Sequence, residues 1–282
     1  GLLRLEGNFD NATRFLQIDL RLEEDADGVA VRLLDVPGRP AAELAVVGQG
    51  PLSDFAADIL LATDGVPRLE GGLTLRTEAD GAGGSIQRFG ADLAGNLAPL
   101  LSPTVQPFFG DSVSFTARGA SFPDGRLAVE ALDLTTGKLR LTGMLRLGPD
   151  RLPEVLALSG VVAAPDGGPA TLPVAGGGVT VRRAEIALDF DAARGPDWDA
   201  RFVLDDLRTP DFAAARLALT GAGQLGDNGA ASLDADLRFD ATGLAPVDPG
   251  LARALGSAVS GRANLFWTEG GSLALRSMTL AG

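Results

Sequence analysis

The chain has 282 residues, 45% of them hydrophobic, with 37 acidic against 24 basic side chains and a formal charge of −13. That balance disfavours nucleic acid and anionic membrane surfaces, which recruit clustered Lys and Arg. The chain has no histidine, cysteine or tyrosine, which removes disulfides, thiolate metal sites, the commonest zinc ligand and every Ser-His or Cys-His nucleophile.

The opening "GLLRLEGNFDNATRF" lacks the basic start and apolar core of a secretory signal. No stretch approaches the ~18 to 20 unbroken apolar residues that span a bilayer. The pattern begins and ends in mid-course, so an internal piece of a longer protein is expected. In "FLQIDLRLEEDADGVAVRLLDV" (15–36), Leu16, Ile18, Leu20 and Leu22 alternate with Gln17, Asp19 and Arg21. Beyond Asp27-Gly28, Val29, Val31 and Leu33 resume the alternation. Period two means strands with one apolar and one wet face.

"GLTLRT" adds Leu73 and Leu75 to that face. "LAPLLSPTVQPFFG" (97–110) breaks the pattern, and Pro99, Pro103 and Pro107 allow only a short helix there. In "KLRLTGMLRL", Leu139, Leu141, Leu145 and Leu147 oppose Arg140, Thr142 and Arg146. Ile186, Leu188 and Phe190 oppose Glu185, Asp189 and Asp191, and Leu233, Leu237 and Phe239 oppose Asp234, Asp236, Arg238 and Asp240. "DPGLARALGSA" reads as a helix capped by Asp248 with Pro249 in its first position. Asp-Gly at 27, 64, 80, 124 and 166 and Asn228-Gly229 are hairpin-turn signals.

The two helical breaks expose an internal repeat. Leu97-Ala98-Pro99 matches Leu244-Ala245-Pro246, and "DGRLAVEALDL" (124–134) matches "GGSLALRSMTL" (270–280). Repeat units around 97–134 and 244–280 suggest a sheet that grows along one axis.

Several motifs fit chemistry by spacing alone. "GAGQLG" (221–226) matches a dinucleotide fingerprint, but the strand pattern that follows it denies the required helix, so a glycine-rich hairpin turn is expected. Gly110-Asp111-Ser112 resembles an esterase nucleophile block without a histidine base. Asp189, Asp191, Asp197 and Asp199 stand near a glycine, yet Ala193 occupies a ligand position of a calcium loop. The pairs Asp234/Asp236 and Asp205/Asp206 suit acid–base work on a glycosidic bond but are equally the outward positions of strands. No catalytic residue, metal or cofactor is expected.

An apolar strand face must rest on something. Helical segments are too sparse to cover it, and its Leu, Val, Ala and Ile include few aromatics to interlock across a sandwich. The fold expected is all-β: an elongated, curled antiparallel sheet with an open hydrophobic groove and one or two short helices. About 20 strands at ~4.8 Å would extend on the order of 100 Å. A structural or adhesive β-solenoid with a closed core is the alternative.

"GQGPLSDFAADILLATDGVPRLEGGLTLR" (48–76), "NLAPLLSPTVQPFFGDSVSF" (96–115) and "PDGGPATLPVAGGGVTVRRAEIALDFDAARGPDW" (165–198) resemble blocks of the TamB family of Gram-negative bacteria. The resemblance covers most of the chain. It implies a middle segment, 1–282, of a continuous β-groove in an inner-membrane-anchored protein that crosses the periplasm. It further implies a groove that carries phospholipid acyl chains or nascent outer-membrane β-strands. The outer-membrane barrel partner TamA would be met by parts outside this chain. Groove-lining residues are then Leu16, Ile18, Leu20, Leu22, Val29, Val31, Leu33, Leu73, Leu75, Leu139, Leu141, Leu145, Leu147, Ile186, Leu188, Phe190, Leu233, Leu237 and Phe239.

Overall fold

The computed structural model describes residues 1–81, 83–174, 176–227, 231–268 and 270–282. The chain is 64% strand and 8% helix, and its antiparallel sheet is curled and open, not closed on itself. It divides into two compact units, Gly1–Gly137 and Lys138–Gly282.

Among the described residues the first unit is a meander of eight strands. These are β1 (Leu2–Asp10), β2 (Phe15–Glu24), β3 (Ala42–Pro51), β4 (Asp54–Thr63), β5 (Val66–Ala79), β6 (Ser85–Gly95), β7 (Val113–Ser121) and β8 (Leu127–Thr135). Each pairs antiparallel with the next in the chain. The second unit contains β9 (Leu139–Leu147), β10 (Pro153–Ala163), β11 (Ala170–Thr171), β12 (Thr180–Val181), β13 (Arg183–Asp191) and β14 (Asp197–Arg208). It continues with β15 (Phe212–Asp227), β16 (Ala231–Thr242), β17 (Ala245–Pro246), β18 (Ala258–Thr268) and β19 (Ala274–Ala281). Its main ladder runs β9-β10-β13-β14-β15-β16-β18-β19, antiparallel throughout. The two-residue strands dock at its margin: β11 on β12, β12 on β14 and β17 on β15.

The register turns separate alternations into continuous rows, because directly paired residues point to the same side of a sheet. Leu5, Leu20, Val46, Ile59, Gly71, Leu93, Phe115 and Leu134 form one row across the first unit. The adjacent row, on the other side, is Glu6, Asp19, Val47, Asp58, Gly72, Asp92, Thr116 and Asp133. In the second unit Leu141, Gly160, Ile186, Phe202, Leu219, Phe239, Gly261 and Leu280 repeat the apolar row. Each unit therefore has one oily face; the other is acidic in the first unit and mixed in the second, where Arg140, Glu185 and Asp240 share a row with Val161, Val203 and Ala218.

The second stretch of the 15–36 pattern is corrected. Val29, Val31 and Leu33 belong not to a strand but to a short helix, α1 (Val29–Leu33), and Asp27-Gly28 leads into that helix instead of closing a hairpin. β3 pairs with all ten residues of β2 and leaves 29–33 no strand to join. The Glu24 carboxylate accepts the Ala30 N–H at 2.8 Å and so anchors the first turn. Val31 is only 3% exposed and Leu33 is 82% exposed, the unlike fates expected of helix positions two apart.

"GAGQLG" is likewise not a turn: Gly221–Gly226 lie inside β15. A Cβ on Gly221 would crowd the Trp198 ring of β14 at 3.0 Å, and one on Gly223 would stand 1.9 Å from the Asp234 carbonyl oxygen of β16. Asp64-Gly65 does form a two-residue hairpin turn, with φ of 49° and 73°, the left-handed pair that matches strand twist. Asp80 opens the β5–β6 connection, and Asp124 lies in the middle of the β7–β8 connection. Asp166-Gly167 begins an excursion that carries β11 and β12, and Asn228-Gly229 lies outside the described residues. The 97–110 break holds a single 3-10 turn (Ala98–Leu100) and α2 (Gln106–Phe109). As the sequence predicts, α3 (Pro249–Leu255) is capped by Asp248, whose Oδ1 accepts the Leu251 N–H at 2.7 Å.

These excursions share one end of the strands. In the first unit α1 and the 96–112 segment lie at the end where Val31, Val36, Ala62, Thr63, Ala98 and Phe108 are buried. The opposite end has short connections: 11–14, 52–53, 80–84 and 122–126. In the second unit the 164–182 and 243–257 excursions occupy one end, near buried Ala170, Val181, Val203 and Leu207. Turns 148–152 and 192–196 lie at the other.

Candidate functional site

The candidate site is the apolar face of each unit. Leu16, Ile18, Leu20 and Leu22 of β2 stand on it with Leu73 and Leu75 of β5. In the second unit it brings together Leu139, Leu141, Leu145 and Leu147 with Ile186, Leu188 and Phe190, and with Leu233, Leu237 and Phe239. Val29, Val31 and Leu33 do not join this face, since they sit on α1.

Sequence reasoning missed much of the lining. Val46, Ile59, Leu93, Phe115, Phe202 and Leu219 complete the rows. Their segments, such as "AELAVVGQGP" and "DFAADILLAT", carry apolar residues at adjacent positions, which blurs the period-two signal. Alignment across strands, not along one, would have revealed them.

Most of this face is half-buried, but its margins are open. On β1, Leu3 and Leu5 are 68% and 69% exposed, and on β19 Leu280 is 57% exposed. Aromatic rings lie flat on it over glycines. A Cβ on Gly119 would meet the Phe89 ring at 2.4 Å, and one on Gly261 would meet the Phe239 ring at 2.6 Å. Trp198 is held down by its indole N–H, which donates to the Asp234 carbonyl at 3.2 Å.

The opposite face is a lattice of exposed ion pairs: Arg21–Asp19 at 3.0 Å, Arg76–Asp54 at 2.9 Å and Arg216–Asp205 at 2.9 Å. Arg88 reaches both Glu78 (2.7 Å) and Glu130 (3.3 Å), and the Glu78 carboxylate, first as hydrogen-bond acceptor and then as charge, raises its pKa. Exposed pairs of this kind contribute ~0 to 1 kcal/mol each. Three of the four carboxylates that stand near a glycine at 189–199 are otherwise engaged. Asp189 and Asp191 pair with Arg194, and Asp197 accepts from Gln224 at 3.1 Å. Among the described residues no group of three or more acidic side chains is placed to hold a metal ion. Asp234 accepts from Arg276 and Asn264, and Asp236 accepts from Asn264. Asp206, at φ 48°, pairs with Arg182.

Two cavities of the second unit bear on its faces. One of about 940 Å³ opens on the opposite face between Arg201, Thr220, Gln224, Asp236 and Arg238. One of about 540 Å³ lies at the turn end of the apolar face, against Phe190, Leu225 and Trp267.

No family model matches this chain, and neither the curated proteins nor the solved structures contain a match to it.

Proposed function

We propose that this chain is a non-enzymatic segment of a periplasm-spanning envelope-biogenesis protein of the TamB kind, whose apolar face is a groove for phospholipid acyl chains or nascent outer-membrane strands. The observation that carries this reading is the row of apolar residues and glycines across eight strands of each unit, backed in the first unit by a row rich in carboxylates. Its open margins, Leu3 and Leu5 on β1 and Leu280 on β19, are apolar surface that a ligand or partner would cover. A fatty chain laid on it gains ~0.8 kcal/mol per methylene, on the order of 10 kcal/mol in all. A lining of Leu, Val and Ala grips without registering a sequence, so a chain can slide. That the sheet is not closed on itself counts against a closed-core solenoid. The inner-membrane anchor and the contact with an outer-membrane barrel belong, on this reading, to parts outside residues 1–282.

The test is a photo-crosslinking side chain at Leu141, on the groove face, and at Arg140, on the opposite face, in Gram-negative cells. Phospholipid or outer-membrane-protein adducts at Leu141 and not at Arg140 are expected. Silence at both positions, with the Leu141 probe unfolding the protein, means a sealed core and overturns the proposal.

A further inference from the structure

We infer that the 540 Å³ cavity at the turn end of the second unit's apolar face holds one acyl chain of an amine-bearing phospholipid, and so is a side entrance to the groove. This deepens the groove reading and rests on it. The size lies within the ~300 to 1,000 Å³ of small-ligand sites. The floor is Phe190, 4% exposed, and the walls are Leu152, Pro153, Pro196, Leu225 and Trp267. Phe190, Leu225 and Trp267 are on the groove face, so a chain seated here is already on the apolar row. The prolines fix the backbone of the mouth, and a preformed pocket loses little freedom on binding.

The position within the unit supports an entrance. Excursions 164–182 and 243–257 cover the other strand end, while the described connections at this end are the turns 148–152 and 192–196 and residues 270–273. The rim supplies the headgroup preference. Asp150 and Glu154 line the cavity. Asp150 uses Oδ1 to accept the Leu152 N–H at 2.9 Å, and Glu154 has no hydrogen-bond or ion-pair partner among the described residues. Nearby, Arg194 is committed to Asp189 and Asp191, and Arg151 does not line the cavity. An acidic rim attracts an ammonium headgroup and repels the carboxylate of a free fatty acid.

The two tryptophans, Trp198 and Trp267, make this testable. Trp267 lines the cavity, and Trp198 stands beside its floor as the register partner of Phe190. Trp198→Phe therefore leaves only the cavity-wall indole as a fluorophore. This variant is titrated with lysophosphatidylethanolamine carrying a dibrominated chain, and with the matching dibrominated fatty acid. Saturable quenching of Trp267 by the lysolipid is expected. Leu225→Arg abolishes it. Glu154→Gln weakens the lysolipid about threefold, as an exposed charge contact should, and strengthens the fatty acid. No quenching of Trp267 in a protein that still forms lipid adducts at Leu141 overturns the entrance and leaves the groove. Absence of both signals overturns both, and equal affinity for lysolipid and fatty acid overturns the headgroup preference.

Discussion

Gly119 is the sharpest test of how the groove floor is built. A methyl group there would stand 2.2 Å from the Ala128 carbonyl oxygen of β8 and 2.4 Å from the Phe89 ring of β6. Van der Waals contact needs about 1 Å more, and neither a laddered carbonyl nor a wedged ring yields that freely. Loss of one or two ladder bonds costs about 0.5 to 1.5 kcal/mol each, and ring displacement about 1 to 2 more. Removal of a strand glycine returns roughly 0.5 to 1 kcal/mol. Gly119→Ala should therefore destabilise the first unit by about 2 kcal/mol, a drop of roughly 6 °C in its melting temperature. The control is Gly7→Ala on β1, where the nearest atom to a new Cβ is the Gln17 carbonyl oxygen at 3.8 Å. Thermal melts followed by circular dichroism compare the two. Equal melting temperatures for Gly119→Ala and Gly7→Ala would refute the idea that rings lie packed on glycine across this sheet.

Val31→Ala should cost about 1 to 3 kcal/mol in urea titration, while Leu33→Ala stays within ~0.5 kcal/mol, because Val31 is buried and Leu33 is exposed. Asp248→Ala removes the α3 cap and should cost about 1 kcal/mol, read as faster amide exchange across 249–255. The Asp10 carboxylate accepts the N–H groups of Thr13 and Ala12, in that order of effect, and its pKa is lowered from 3.8. A depressed folded pKa means stability present above the unfolded value and lost as pH falls through the folded one, so the 11–14 turn should loosen only in acid below the ordinary carboxylate range. An NMR titration of Asp10 with a midpoint above 3.8 would contradict this.

The strand-rich fold was legible because Leu16 to Leu22, Leu139 to Leu147 and Ile186 to Phe190 each alternate on their own, and local pattern suffices when a strand is half wet. The α3 helix was equally plain from Asp248-Pro249. α1 was not, because Val29 and Val31 are β-branched residues in alternation and only competition from β3 for the edge of β2 turns them away. Gly221–Gly226 misled for a related reason: glycine marks both turns and close approach, and the Trp198 ring and Asp234 carbonyl that approach here come from other strands. Much of the lining was hidden in β3 and β4, where the second face is also partly apolar. The cavity beside Trp267 joins two connections and was beyond any local pattern.

The meander has a consequence for how the chain acquires its fold. Within each unit's main ladder every strand pairs with one that precedes it closely in the chain, so pairing spans tens of residues at most and loop closure is cheap in entropy. A polypeptide delivered end first through a narrow pore could add one strand at a time, each newcomer templated on the edge just completed. Pulse-labelled amide exchange would then detect protection advancing from one terminus of a unit to the other, with no late step in which distant strands must find each other.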